Sequence, residues 1–184
     1  MDRVIADANQ RMSKAVEATE RELAAIRTGR ASPALLDKVQ VDAYDSKMPV
    51  NQLATIAVPE PRLITITPWD KNITKNIENA LLQSELGLTP SSDGNVIRLQ
   101  VPPLTEERRQ EMVKLVRKVG EDGRVAVRNV RRDAIDKIKR MEQEEHLSED
   151  EVHLGQSEIQ EATDKYIEQL DELVEKKAAE VMEV

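Results

Sequence analysis

The chain has 184 residues, of which 34% are charged, 2% are aromatic and none is cysteine. This excludes disulfides, thiolate metal sites and a cysteine nucleophile, and leaves room for one or two small domains with modest cores. So few aromatics favour long solvated helices with narrow aliphatic seams, and offer little of the ring stacking that holds single-stranded RNA. The net charge of −8 is unevenly spread: −1 over residues 1–104, +5 over 105–140 and −12 over 141–184. The first twenty residues are charged throughout, so they lack the apolar stretch of a signal peptide. No segment is apolar enough to cross a bilayer, and a cytoplasmic protein is expected.

Residues 2–28 have a helical period, with Ile5, Met12, Val16, Leu23 and Ile26 on one side and Asn9 and Thr19 interrupting the seam. Gly29 stops this helix and Pro33 prevents an easy restart. From Lys38 to Val101 the period falls to two. Val39, Val41 and Ala43 form one alternating run, Ala54, Ile56 and Val58 the next, then Leu63 to Thr67, and last Ile97, Leu99 and Val101. Between the last two runs Ile73, Ile77, Ala80, Leu81 and Ser84 have helical spacing, with Gly87 as the stop. Trp69, at a strand end, is expected to cap the small core.

After Pro102 and Pro103 the helical period returns, with Thr105 as the expected N-cap, and continues to about Met141. Gly120 and Gly123 weaken this helix by about 1 kcal/mol each relative to Ala and suggest a bend. Ser148 to Glu151 has capping-box form and opens a last helix, whose buried side holds Ile159, Ala162, Tyr166, Leu170, Leu173, Ala178 and Val181. The order helix, β-insert, helix, helix predicts an α+β fold: an antiparallel three-helix bundle (1–29 with 105–184) carrying a small inserted β/α/β domain (30–104). Two short Pro-containing crossings join the parts, and they predict a two-strand hinge, with a fixed junction as the alternative.

On a helical projection of 105–141 the seam residues are Met112, Val116, Val119, Ala126, Val130, Ala134 and Met141. Lys114, Arg117, Arg124, Arg128, Arg131, Arg132 and Lys139 gather in a sector centred roughly 140° away, with Glu121 and Asp136 largely outside it. Arginine outnumbers lysine there, which suits bidentate phosphate contacts. The stripe is therefore read as an RNA-facing surface. The alternative is pairing with the acidic last helix, expected at Arg109 and Lys118 on the flanks.

No phosphate-binding glycine loop occurs, so no nucleotide site is expected. His146 and His153 are spaced poorly for a metal, and the many carboxylates lack an apolar pocket to raise a pKa. No catalytic residue, cofactor, metal or small-molecule substrate is expected.

Longer strings are more specific. RTGRASP at 27–33, LLD at 35–37, NQLA at 51–54, LGL at 86–88, GNVIRL at 94–99, PPLTEERR at 102–109 and RVAVRNVRRDA at 124–134 closely resemble the bacterial ribosome recycling factor family. The likeness runs nearly end to end and is weakest over 141–184. It implies an L-shaped molecule similar in outline to transfer RNA, acting without catalysis of its own. Such a protein binds the post-termination ribosome on large-subunit rRNA; with elongation factor G and GTP it promotes subunit dissociation and release of mRNA and tRNA. Carried over by position, Arg27, Arg128, Arg131 and Arg132 would contact rRNA, with Arg117 and Arg124 extending the stripe. Arg30, Ala31, Ser32 and Pro33, with Pro102, Pro103, Leu104 and Thr105, would form the hinge. The β-insert would meet elongation factor G, and a monomer is expected. A dimeric helical co-chaperone is the competing class; co-sedimentation with ribosomes and a solution mass separate the two.

Overall fold

The computed structural model describes residues 1–183 and divides into two compact units, residues 1–26 with 107–184 and residues 27–106. The elements in chain order are α1 (Asp2–Ala24), β1 (Gln40–Ala43), β2 (Ser46–Pro49), β3 (Ala54–Glu60), β4 (Leu63–Pro68), α2 (Thr74–Gln83), β5 (Pro90–Ser92), β6 (Ile97–Gln100), α3 (Glu106–Glu144) and α4 (Glu149–Met182).

In the helical unit, α1, α3 and α4 close on a core of Ala8, Met12, Val16, Val127, Val130, Ala134, Ile138, Val152, Ile159, Ala162 and Leu170. Arg11 reaches Asp133 while Thr19 faces Gly123, so α1 and α3 run antiparallel. Gly155 lies beside Ile138 and Gly120 beside Val174, so α4 is antiparallel to α3 as well. Helix α1 ends at Ala24, four residues short of the expected Thr28.

Two sequence features change meaning here. Gly120 and Gly123 fall within one continuous helix, α3, and both lie buried in its seam. A Cβ on Gly120 would overlap Val174, and one on Gly123 would overlap Thr19 and crowd Leu170. The missing side chains thus permit close helix approach, which offsets their poor helix propensity. Thr19 does not interrupt the seam of α1 but belongs to it. It is buried opposite Gly123, and its hydroxyl donates to the Ala15 carbonyl at 2.9 Å, which satisfies the polar group within its own helix.

The turn between α3 and α4 follows the expected chemistry. Ser148 Oγ accepts from the Glu151 backbone N–H at 3.2 Å, and Glu151 Oε2 accepts from the Ser148 N–H at 2.8 Å. This reciprocal box satisfies two donors of the first turn, and three acids in that turn suit the helix dipole.

The second unit holds an antiparallel four-stranded sheet in the order β3-β4-β6-β5 and a separate β1-β2 hairpin. Ile64 pairs with Leu99 and Ile66 with Ile97, all four fully buried. Ile73, Ile77 and Leu81 bring the α2 region onto the same core. Strands β2 and β5 were not anticipated from periodicity. Each is short and has no buried face of its own, so neither shows an alternation. The hairpin turn puts Tyr44 and Asp45 at φ 51° and 63°, a left-handed pair without glycine.

The crossing segments are tied into this second unit. Ala31 N–H donates to the Pro61 carbonyl at 2.7 Å and Val101 N–H to the Arg62 carbonyl at 2.8 Å. Ser32 caps a short 3-10 turn that begins at Pro33. Gly29, at φ 75°, is approached so closely by Leu104 that a Cβ would lie 3.2 Å from the Leu104 nitrogen. Glycine is required there for both space and backbone angle.

Candidate nucleic-acid interface

The structure alters the reading of α3. Its buried seam is Val116, Gly120, Gly123, Val127, Val130, Ala134 and Ile138. Met112, Val119, Ala126 and Met141 are only half-buried. The true seam is thus rotated about 40° toward the arginines, because the two glycines count as contact positions although they carry no apolar side chain.

Measured from that seam at 100° per residue, Arg131, Arg124 and Arg117 stand about 60°, 80° and 100° away, and Arg128 and Arg132 about 120° and 160° away. The first three reach α4. Arg124 Nε donates to Asp171 Oδ1 at 2.7 Å, Arg117 Nη1 lies 3.5 Å from Glu175 Oε1, and Arg131 Nη1 donates to Gln160 Oε1 at 3.3 Å. The expectation that the whole stripe points away from the bundle is therefore corrected. The stripe splits into a flank against α4 and an outer face. Pairing falls on these three residues rather than on Lys118, which is exposed.

Glu121 also departs from expectation. It accepts from both Arg124 and Arg128, at 3.1 Å through Oε2 and 3.4 Å through Oε1. Arg124, whose side chain is 21% exposed, thus carries two carboxylates. Burial works to lower its pKa, but the bonds to Asp171 and Glu121 outweigh that and leave it raised. Its bond to Asp171 links α3 to α4. Arg128 has only the Glu121 contact on its own helix, and Arg132 is exposed. With Lys114 and Lys139, both exposed, these two form the outer basic face. That arrangement can bind phosphates through charge-assisted hydrogen bonds without first opening a helix contact.

Arg27 belongs to the second unit, where its Nη2 donates to the Leu86 carbonyl. It is exposed.

Trp69 does not cap a core. It is 66% exposed, as is Tyr44. Their polar tips are held: Trp69 Nε1 donates to Thr55 Oγ1 at 2.9 Å, and Tyr44 Oη donates to Asp70 Oδ2 at 2.9 Å. Two ordered rings therefore face solvent near the start of α2, a pattern typical of protein contacts. Periodicity could not have found Tyr44, because turn residues carry no alternation. Among the described residues no group of three or more His, Asp or Glu is placed to hold a metal. No helix there is long and apolar enough to cross a membrane.

Comparison with known proteins gives a consistent result. The family model for ribosome recycling factor matches residues 19–182. The ribosome-recycling factor of Symbiobacterium thermophilum is 55% identical over 181 residues, covering 98% of each chain. That of Geobacillus sp. is 53% identical over 184 residues and 100% of both chains. A solution structure of a ribosome recycling factor is 46% identical, with a TM-score of 0.82 over 100% of this chain and 97% of that one. A T. thermophilus ribosome recycling factor, described with E. coli elongation factor G on the E. coli post-termination complex, is also 46% identical. Its TM-score is 0.69 over 99% of this chain and 98% of that one.

Proposed function

This chain belongs to the ribosome recycling factor family, and from that premise we propose that it binds the post-termination ribosome through the outer face of α3. It is a translation factor rather than an enzyme, acting in ribosome recycling after termination. With elongation factor G and GTP it promotes dissociation of the subunits and release of mRNA and tRNA. The observation that carries this is the family match from 19 to 182, which spans both units.

In this reading Arg128 and Arg132 make the main contacts with large-subunit rRNA, and Arg131 joins them from the edge. Arg117 and Arg124 support the face from the α4 side, and Arg27 contributes from the second unit. The second unit meets elongation factor G, and its exposed rings, Tyr44 and Trp69, are the side chains most suited to a protein contact.

Residues 30–33 and 102–105 form the joint between the units. The bonds from Ala31 to Pro61 and from Val101 to Arg62 make the second-unit side of that joint rigid. The protein works as a monomer, since its helices bury their seams within one chain, and action on ribosomes puts it in the cytoplasm.

The test is subunit splitting followed by light scattering on post-termination ribosomes. Splitting is expected only when this chain, elongation factor G and GTP are all present. No splitting with the complete set, or equal splitting without elongation factor G, would contradict the assignment.

A further inference from the structure

Arg131 is held unlike the other arginines on the α4 flank. Arg124 and Arg117 meet carboxylates, which cancel charge as well as orient it. Arg131 instead meets a neutral amide: Nη1 donates to Gln160 Oε1 at 3.3 Å. Gln160 Nε2 in turn donates to Asp164 Oδ1 at 2.9 Å, one helical turn further along α4. Because an ionised carboxylate only accepts, Asp164 draws the NH2 end of the amide and leaves the oxygen for Arg131.

The Nε of Arg131 is buried and has no acceptor. A guanidinium offers two bidentate edges, one through Nε and a terminal one through the two Nη atoms. Burial of Nε removes the first edge from any partner outside the bundle. The terminal edge consists of one hydrogen from each Nη; Gln160 takes one of the two Nη1 hydrogens, and both hydrogens on Nη2 remain unclaimed by it. A single neutral acceptor on α4 thus fixes the plane of that edge and leaves the positive charge intact.

We propose that Gln160 is a positioning residue of the RNA-binding face: it orients the terminal edge of Arg131 toward a phosphate, and Asp164 sets the orientation of the Gln160 amide. This rests on the reading of α3 as that face, and it gives the acidic last helix a part in binding. A neutral residue suits the role, because a carboxylate at 160 would hold Arg131 equally well while competing with the phosphate.

The test is a double-mutant cycle on ribosome binding, measured by co-sedimentation across a salt series, with helicity and Tm recorded for each protein. Gln160→Ala is expected to weaken binding about fivefold with unchanged helicity. Arg131→Ala should weaken it at least as much, and the double variant should bind no worse than Arg131→Ala alone, since both changes remove one contact. Gln160→Glu should also weaken binding, although it restores an acceptor, and Asp164→Asn should have a smaller effect in the same direction. Wild-type binding by Gln160→Ala, or full additivity in the double variant, would overturn the proposal while leaving the functional assignment intact. Wild-type binding by Arg131→Ala would overturn it by removing Arg131 from the face. A chain that ignores ribosomes altogether would contradict the functional reading itself.

Discussion

The two units carry charge in different ways. The helical unit has a net charge of −7, yet its charge is uneven, with acids crowded on α4 and an arginine-rich face on α3. The β-rich unit is nearly neutral at −1, and its two most exposed large apolar side chains are aromatic. Net charge alone would send RNA away from the unit that we assign to bind it. The distribution decides instead, because phosphates respond to the local field within about a Debye length. The β-rich unit presents exposed rings, Tyr44 and Trp69, whose contacts depend on ring area and shape.

The contrast is broken most easily at the outer face of α3. Arg128→Ala with Arg132→Ala should weaken ribosome co-sedimentation roughly 30-fold, on about 1 kcal/mol for each lost phosphate contact. Circular dichroism should be unchanged, because neither side chain is in the seam.

The next effect is on stability and belongs to the bundle alone. Gly123→Ala should gain about 1 kcal/mol of helix propensity but lose more through overlap with Thr19 and Leu170, for a net loss of about 1–2 kcal/mol. Thermal unfolding should show it as a fall in Tm of a few degrees. A rise would mean that the helices can separate without cost.

A smaller effect, and one on a different partner, is expected from the β-rich unit. Tyr44→Ala with Trp69→Ala should leave ribosome binding intact and raise the elongation factor G concentration for half-maximal splitting about fivefold. Weaker ribosome binding in that variant would erase the distinction between the units.

The smallest effect is shared by both units and lies on the acid side. Asp70 is held below the ordinary carboxylate range by the Asn72 N–H and then the Tyr44 hydroxyl, and Asp93 by the Val96 and Asn95 N–H groups. Glu151 in the bundle is held down by Ser148. Groups with a depressed folded-state pKa stabilise the fold fully above the unfolded value of about 4, and that stability is lost as pH falls through the folded value. Tm should therefore be insensitive to these groups at neutral pH and fall below about pH 4. Glu151→Gln should flatten the bundle's part of that fall.

Much of this architecture was legible in the residues. Periodicity located all four helices, and the motif strings from Arg27 to Ala134 pointed to the family. The capping box at Ser148 was readable because it depends on two side chains at a fixed spacing. The seam of α3 was misplaced because Gly120 and Gly123 make contacts by what they lack, and a hydrophobic projection cannot register that. Thr19 was misjudged for a related reason, since its hydroxyl is satisfied within its own helix. The pairing of Arg124 with Asp171 depends on which face of α4 lies alongside, a tertiary fact absent from any one helix. Trp69 was expected to cap the small core from its place at a strand end; its Nε1 found Thr55 at the surface instead.

The most direct test of the central claim is the salt dependence of ribosome binding, compared between the wild-type chain and the Arg128→Ala, Arg132→Ala variant. If both arginines contact phosphates, the slope of log K against log salt should become shallower by roughly 1.4 to 1.8, at about 0.7 to 0.9 per contact. An unchanged slope, even with weaker binding, would contradict the assignment of this face to RNA.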